Sequence, residues 1–233
     1  MTTTSAWETT ISTSPPSFAD DQVVSRLAAI RQRIEQAGGD PDRVRVIAVT
    51  KGFGPEAVAA ARAAGLTDLG ENYAQEMVTK APGPPGTRWH FLGSVQRNKV
   101  PLLAPLVEVW QGVARHVEGE RIAQGAPGAA VMIQVDSSGL PGRNGCPPEA
   151  VPELAHALAR LDLNVLGLMT VAPPGVHEAQ EAFEAVDRLA GELGLPERSM
   201  GMSGDLELAV AAGSTMVRIG RGLFGERSPG VAG

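Results

Sequence analysis

A lysine closing a β-branched run is the residue of this sequence best suited to covalent chemistry. The run is Val44 to Lys51, V-R-V-I-A-V-T-K, followed by Gly52, Phe53, Gly54 and Pro55. Its composition is that of a buried strand, so the strand delivers a primary amine to its C-terminal end before the chain turns toward a helix. In folds built from βα units, ligands sit beyond the carboxyl ends of the strands. An amine partly desolvated there loses proton affinity and can attack a carbonyl to form a Schiff base. The alternative is a solvated lysine in a surface loop.

Two further stretches suit an anion. S-M-G-M-S-G-D-L-E, Ser199 to Glu207, offers the Ser203 hydroxyl and the amides around Gly204 at the start of a predicted helix, where orphan N–H groups and the dipole favour negative charge. V-R-I-G-R-G-L-F-G, Val217 to Gly225, offers the amides of Gly220 and Arg221 after a strand. Read singly, Ser203 caps a helix and the glycines serve turns. Read together on neighbouring loops, they form a phosphate cradle facing Lys51. An amine opposite a phosphate site fits a cofactor with an aldehyde at one end and a phosphate at the other, as in pyridoxal phosphate.

These residues need a scaffold that gathers strand ends. Strands are expected over residues 44–51, 67–71, 88–93, 106–113, 129–136, 163–170, 198–202 and 216–220. Helices are expected between them, from Pro55 to the stop at Gly65, from Asn72 onward, and over Gln96–Leu103, Arg115–Gln124, Pro148–Leu161, Val176–Leu193 and Leu206–Ala212. A helix precedes the first strand, with Ser17 and Asp20 as a capping signal, Val23, Leu27, Ile30 and Ile34 on one face, and Gly38-Gly39 as its end. Regular βα alternation demands parallel strands and right-handed crossovers. Eight units predict an α/β fold, a (β/α)8 TIM-type barrel with an extra N-terminal helix, and an open doubly wound sheet competes if the count is off by one. The strand ends then bring Lys51, Glu71-Asn72, His90, Asp136, Met169-Thr170, Ser203-Gly204 and Gly220-Arg221 to one mouth.

The totals narrow the partners. With 43% hydrophobic but 4% aromatic residues, the core of this 233-residue chain is built of Ala, Val and Leu. A formal charge of −6 argues against a global basic surface for nucleic acid or anionic membrane. The single cysteine, Cys146, cannot form an intramolecular disulfide. The N-terminus, M-T-T-T-S-A-W, has neither the basic nor the apolar segment of a signal peptide, and no apolar run is long enough to span a bilayer. The expectation is a cytoplasmic protein with a disordered tail over residues 1–16, one domain over 17–228 and a short tail over 229–233.

V-I-A-V-T-K, G-E-N-Y-A-Q-E, W-H-F-L-G-S-V-Q-R-N-K, G-L-M-T, M-G-M-S-G-D-L-E-L-A-V-A-A-G-S-T-M-V-R-I-G and L-F-G occur here in the order found in the pyridoxal phosphate homeostasis protein family, which the chain resembles from Ser17 to Glu226. That family comprises single-domain relatives of the alanine racemase N-terminal barrel. The resemblance implies a pyridoxal 5'-phosphate barrel in which Lys51 holds the aldehyde as an internal aldimine. It further implies that Ser203, Gly220 and Arg221 bind the phosphate, the last two through backbone amides, that Arg218 faces the pyridine nitrogen, and that Asn72 and Met202 line the pocket. A guanidinium beside that nitrogen opposes its protonation and weakens the ring as an electron sink. Arg221 stands where the family commonly has threonine or serine, so only its backbone contact carries over. An acidic residue common near the place of Arg115 is also absent.

Other residues read more plainly. His90 lies within an apolar strand as a hydrogen-bonded core histidine, and Tyr73, the only tyrosine, packs at a helix start. Gln96, Arg97, Asn98 and Lys99 form a polar helix start, either a contact surface or a solvated face. Asp136 orients a loop. His116, His156 and His177 fall on predicted helices without carboxylate spacing, so no metal is assigned. The function expected is intracellular vitamin B6 homeostasis, as a monomeric carrier or buffer of pyridoxal phosphate whose recipients include apo forms of enzymes using it. No dedicated turnover is expected, because the racemases' second base comes from a further domain that this sequence is expected to lack. The alternatives are a weak amino acid racemase or lyase, and a phosphate-sugar enzyme without pyridoxal.

Overall fold

The computed structural model describes residues 20–139 and 142–226. The expected tails over 1–16 and 229–233, the domain bounds at 17 and 228, and the Ser17 cap lie outside the described residues. Helix α1 (Asp20–Gln36) comes first and buries Val23, Leu27, Ile30 and Ile34, the stripe its spacing predicts. The chain then alternates β1 (Arg45–Val49), α2 (Pro55–Ala63), β2 (Asp68–Glu71), α3 (Ala74–Lys80), β3 (Arg88–Phe91), α4 (Val100–Leu103), β4 (Val109–Val113) and α5 (His116–Gly125). It continues through β5 (Ala130–Val135), α6 (Val151–Arg160), β6 (Asn164–Thr170), α7 (Val176–Glu192), β7 (Glu197–Ser199), α8 (Leu206–Ala211), β8 (Met216–Ile219) and α9 (Arg221–Phe224).

The eight strands pair in chain order, all parallel, and β1 closes against β8 with Arg45 opposite Met216 and Ile47 opposite Arg218. This is the closed barrel the alternation predicts, which removes the open sheet. Two predicted elements change. The helix expected over Gln96–Leu103 is only Val100–Leu103, because residues 96–99 close a turn through Lys99 N–H to the Gln96 carbonyl at 2.8 Å. Pro101 is tolerated in the first turn of α4, where its missing donor breaks no intrahelical bond. The short helix α9 was not expected at all.

Side chains alternate between two layers. Outward residues such as Leu69, Trp110, Ile133 and Leu168 pack under the helices. Inward, Ile47, Val109, Met132, Met169 and Met216 fill the barrel axis, each at most 3% exposed. At the rim the strands approach so closely that backbone meets backbone. A methyl group added at Gly93 would overlap the Asn72 carbonyl oxygen, and one at Gly112 would overlap the Gly93 carbonyl oxygen. Gly93→Ala is therefore expected to cost about 2 kcal/mol, since backbone atoms cannot rotate away as a side chain would. A chemical denaturation midpoint matching wild type would contradict that close approach.

Candidate functional site

One cavity of about 960 Å³ opens beyond the carboxyl ends of the strands. Lys51, Asn72, Met202, Ser203, Arg218, Gly220 and Arg221, the seven residues singled out from the sequence, all line it. Met169 and Gly204 also reach the wall from their strand ends. Glu71, His90, Asp136 and Thr170 do not, contrary to the expectation that the strand ends converge as a block. Side chains alternate across a strand, so when Asn72 faces the axis its neighbour Glu71 faces the helices.

Lys51 sits in a tight turn just past β1. The Phe53 N–H donates to the Thr50 carbonyl at 3.0 Å, and Gly52 takes φ +72°, a conformation that favours glycine. Behind this turn lies Lys80 of α3, buried at 7% exposure. Its ammonium donates to the Thr50 carbonyl at 2.7 Å, Glu71 Oε1 at 2.5 Å and Glu76 Oε2 at 2.7 Å. Glu76 Oε2 also accepts the Gly52 N–H at 2.9 Å, while Glu71 Oε2 accepts the Asn72 N–H at 2.8 Å. Burial pushes the Glu71 carboxyl above its ordinary range despite the pull of Lys80.

The opposite wall comes from the loops after β7 and β8. Ser203 and Gly204 lie in a turn, with α8 beginning at Leu206 behind its cap Asp205, so Ser203 is not the helix cap. Asp205 Oδ1 instead accepts the Met202 N–H at 2.6 Å. A Cβ built at Gly204 would meet nothing within 4 Å, and one built at Gly222 would lie 2.9 Å from Ser203 Oγ. The serine hydroxyl thus borders the first turn of α9, whose leading N–H groups have no intrahelical partner. Helix α1 pins both loops: Arg33 donates to the Ser203 carbonyl at 3.0 Å and Arg26 to the Leu223 carbonyl at 3.0 Å. The Arg221 side chain is 68% exposed, which leaves its backbone as its contribution to the wall.

Arg218 forms the floor, 5% exposed. Its guanidinium donates to the Thr170 carbonyl at 2.6 Å, the Ser199 carbonyl at 2.5 Å and Ser199 Oγ at 2.8 Å. Burial pushes its pKa down to about 10, with Asp205 pulling the other way, so at neutral pH it remains a cation. From Ser199 a line of hydrogen bonds crosses the barrel. Ser199 Oγ donates to Gln111 Oε1 at 2.7 Å, Gln111 Nε2 meets His90 Nδ1 at 2.9 Å, and His90 Nε2 meets Asp68 Oδ1 at 2.9 Å. The Asp68 carboxylate can only accept, which puts the His90 proton on Nε2. Desolvation raises the Asp68 carboxyl, but His90 and Arg88 outweigh it and hold it below its usual range. His90 is the core histidine expected.

Tyr73 is 53% exposed and is no packing residue, because its N–H is held by Glu71 while its ring faces solvent. His116 and His177 do have carboxylate spacing, with Glu120 at 3.8 Å and Glu181 at 3.6 Å one turn on. Both are exposed two-residue pairs, and among the described residues no three His, Cys, Asp or Glu side chains gather as a metal site. Asp136 binds the Ser138 N–H and hydroxyl, turning its loop as expected. Cys146 is buried, and desolvation with nearby Glu149 pushes its thiol up, which makes it a poor nucleophile. Residues missed from the sequence include Asp205, Glu226 and the apolar wall from Val171 to Val176, for which the Pro173-Pro174-Gly175 break after β6 was the available signal. Among the described residues, no helix is long and apolar enough to cross a membrane.

Residues 25–228 match the model of the alanine racemase N-terminal domain family. A pyridoxal phosphate homeostasis protein of Pseudomonas aeruginosa is 40% identical over 227 residues, covering 90% of this chain and 96% of that one. One of Deinococcus radiodurans is 40% identical over 206 residues, covering 85% and 97%. Among solved structures, PipY of Synechococcus elongatus PCC7942 with pyridoxal phosphate bound superposes with a TM-score of 0.77 at 33% identity, covering 87% of this chain and all of that one.

Proposed function

This chain belongs to the pyridoxal phosphate homeostasis protein family within the alanine racemase N-terminal fold, and we propose that it binds pyridoxal 5'-phosphate in the barrel mouth and serves the intracellular balance of that cofactor as a carrier or buffer. The observation that carries this reading is one cavity that holds an amine on one wall, a hydroxyl and bare glycine backbone on the other, and a guanidinium between them. The residues fit the group: the open face at Gly204 leaves room beside the Ser203 hydroxyl where a phosphate ester needs it.

On this reading Lys51 holds the aldehyde end covalently. Ser203 donates its hydroxyl to the phosphate, and the backbone amides of Gly220 and Arg221 at the start of α9 add N–H donors. Asn72 and Met202 bound the ring on its sides. Arg218, held by two carbonyls and a serine, has no spare freedom and presents positive charge to the ring nitrogen, which keeps that nitrogen unprotonated. When bound, the cofactor supplies an electrophilic carbonyl carbon and an electron-withdrawing ring. Arg218 weakens the second of these, which favours storage over turnover, and Tyr73 lies off the cavity wall, so this chain offers no tyrosine opposite Lys51. The recipients on this reading are apo forms of enzymes that use the cofactor. A cytoplasmic monomer is the state in which they would meet it.

The test is spectroscopic. Purified apo chain titrated with pyridoxal phosphate is expected to gain a saturable visible band at one equivalent, lost on borohydride reduction, with the added mass on the peptide that contains Lys51. A chain that stays colourless at saturating cofactor overturns the assignment. Exchange of the α-proton of alanine or serine into deuterated water well above the free-cofactor rate would replace the carrier reading by an enzymatic one.

A further inference from the structure

We propose that Lys80, with Glu71 and Glu76, is the positioning device that aims the Lys51 amine, a role that rests on the reading of Lys51 as the attachment residue. The contacts fall on the two peptide groups that flank the Lys51 Cα. The carbonyl of the Thr50–Lys51 peptide accepts from Lys80 Nζ at 2.7 Å, and the N–H of the Lys51–Gly52 peptide donates to Glu76 Oε2 at 2.9 Å. Lys80 Nζ and Glu76 Oε2 are themselves 2.7 Å apart. Fixing both peptide planes fixes the Cα–Cβ direction of Lys51, which is the root of a long side chain with many rotamers.

The same cluster reaches a second cavity residue. Glu71, whose side chain is fully buried, shares Oε1 with Lys80 and the Thr50 hydroxyl and gives Oε2 to the Asn72 N–H. One ammonium therefore sets the ends of β1 and β2 together. Burying a lysine with two glutamates is a poor way to stabilise a core, since apolar residues of similar volume do as well or better. Its position behind the turn supplies the reason for keeping it. The cluster also favours Lys51 over Lys80 as the reacting lysine, because Lys80 Nζ is engaged in three hydrogen bonds and does not line the cavity.

The experiment separates uptake from covalent capture. Lys80→Met and Glu76→Gln are compared with wild type by equilibrium dialysis for total bound cofactor, by borohydride quench for the rate of fixation on Lys51, and by hydrogen exchange at the Gly52 amide in the apo protein. Total uptake is expected to stay close to wild type because the phosphate wall is untouched. Fixation is expected to slow about tenfold or more, as misplaced reacting groups do, with faster Gly52 exchange in both variants. Glu76 is partly exposed, so Glu76→Gln decides the matter should Lys80→Met not fold. Wild-type fixation rates in the folded variants overturn the positioning role and leave the cofactor site standing. Failure of wild type itself to fix cofactor on Lys51 sinks the cofactor reading, and the positioning role with it.

Discussion

Replacing Lys51 with alanine is expected to leave a protein that still takes up pyridoxal phosphate but retains none of it through borohydride reduction and denaturation. On the proposed reading the covalent anchor is one nitrogen, and Lys80, the other lysine near it, donates three hydrogen bonds. Residual uptake follows from the opposite wall. A phosphate against Ser203 and two or three backbone amides gains charge-assisted hydrogen bonds of about 1.5–3 kcal/mol each. Three of these correspond to dissociation constants between about 1 mM and 1 µM. The visible band should vanish while dialysis still detects ligand. A reduced adduct of wild-type yield on the alanine variant would reject Lys51 as the point of attachment.

Arg218→Met carries the second large effect, and two opposing terms set it. Removing the guanidinium relieves a buried charge whose pKa is pushed down to about 10, a strain of about 3 kcal/mol. It also strands the Thr170 and Ser199 carbonyls, each costing about 1–3 kcal/mol, while Ser199 Oγ keeps its hydrogen bond to Gln111. The stranded acceptors win by about 1 kcal/mol, so the apo melting temperature should fall by about 2–4 °C for a chain of this size. The effect on bound cofactor is larger. With the cation gone, the ring nitrogen is expected to gain about one to three units of proton affinity. Nitrogen-15 NMR of cofactor labelled at the ring nitrogen would show it protonated near neutral pH in the variant and unprotonated in wild type. An unchanged nitrogen shift would remove Arg218 from the ring.

The barrel was legible because its signals are local. Five of the eight strands carry Val or Ile and the other three sit between turn signals, so all eight were placed within three residues of their observed ends. The cavity residues were legible for a related reason, since the carboxyl end of a strand is a position that a sequence marks. What stayed hidden depends on which residues meet across space. Lys80 looked like any lysine ending a helix, and nothing near it in sequence announces Thr50, thirty residues away. Gln111 and Ser199 lie on strands three apart around the barrel and meet only because the axis is narrow. Arg26 and Arg33 fell on the polar face of α1, where solvent is the default partner, yet they hold the loops after β7 and β8. Helix α9 escaped because four residues with two glycines nearby read as a turn.

The filled axis has a bearing on release. Beneath Arg218 the interior is occupied by Ile47, Val109, Met132, Met169 and Met216, each at most 3% exposed. On the proposed reading, a cofactor held in the barrel mouth enters and leaves by that mouth. On that reading a recipient protein that seals the mouth would block the exit it depends on, whereas one waiting in solution would receive cofactor only at the pace of spontaneous escape.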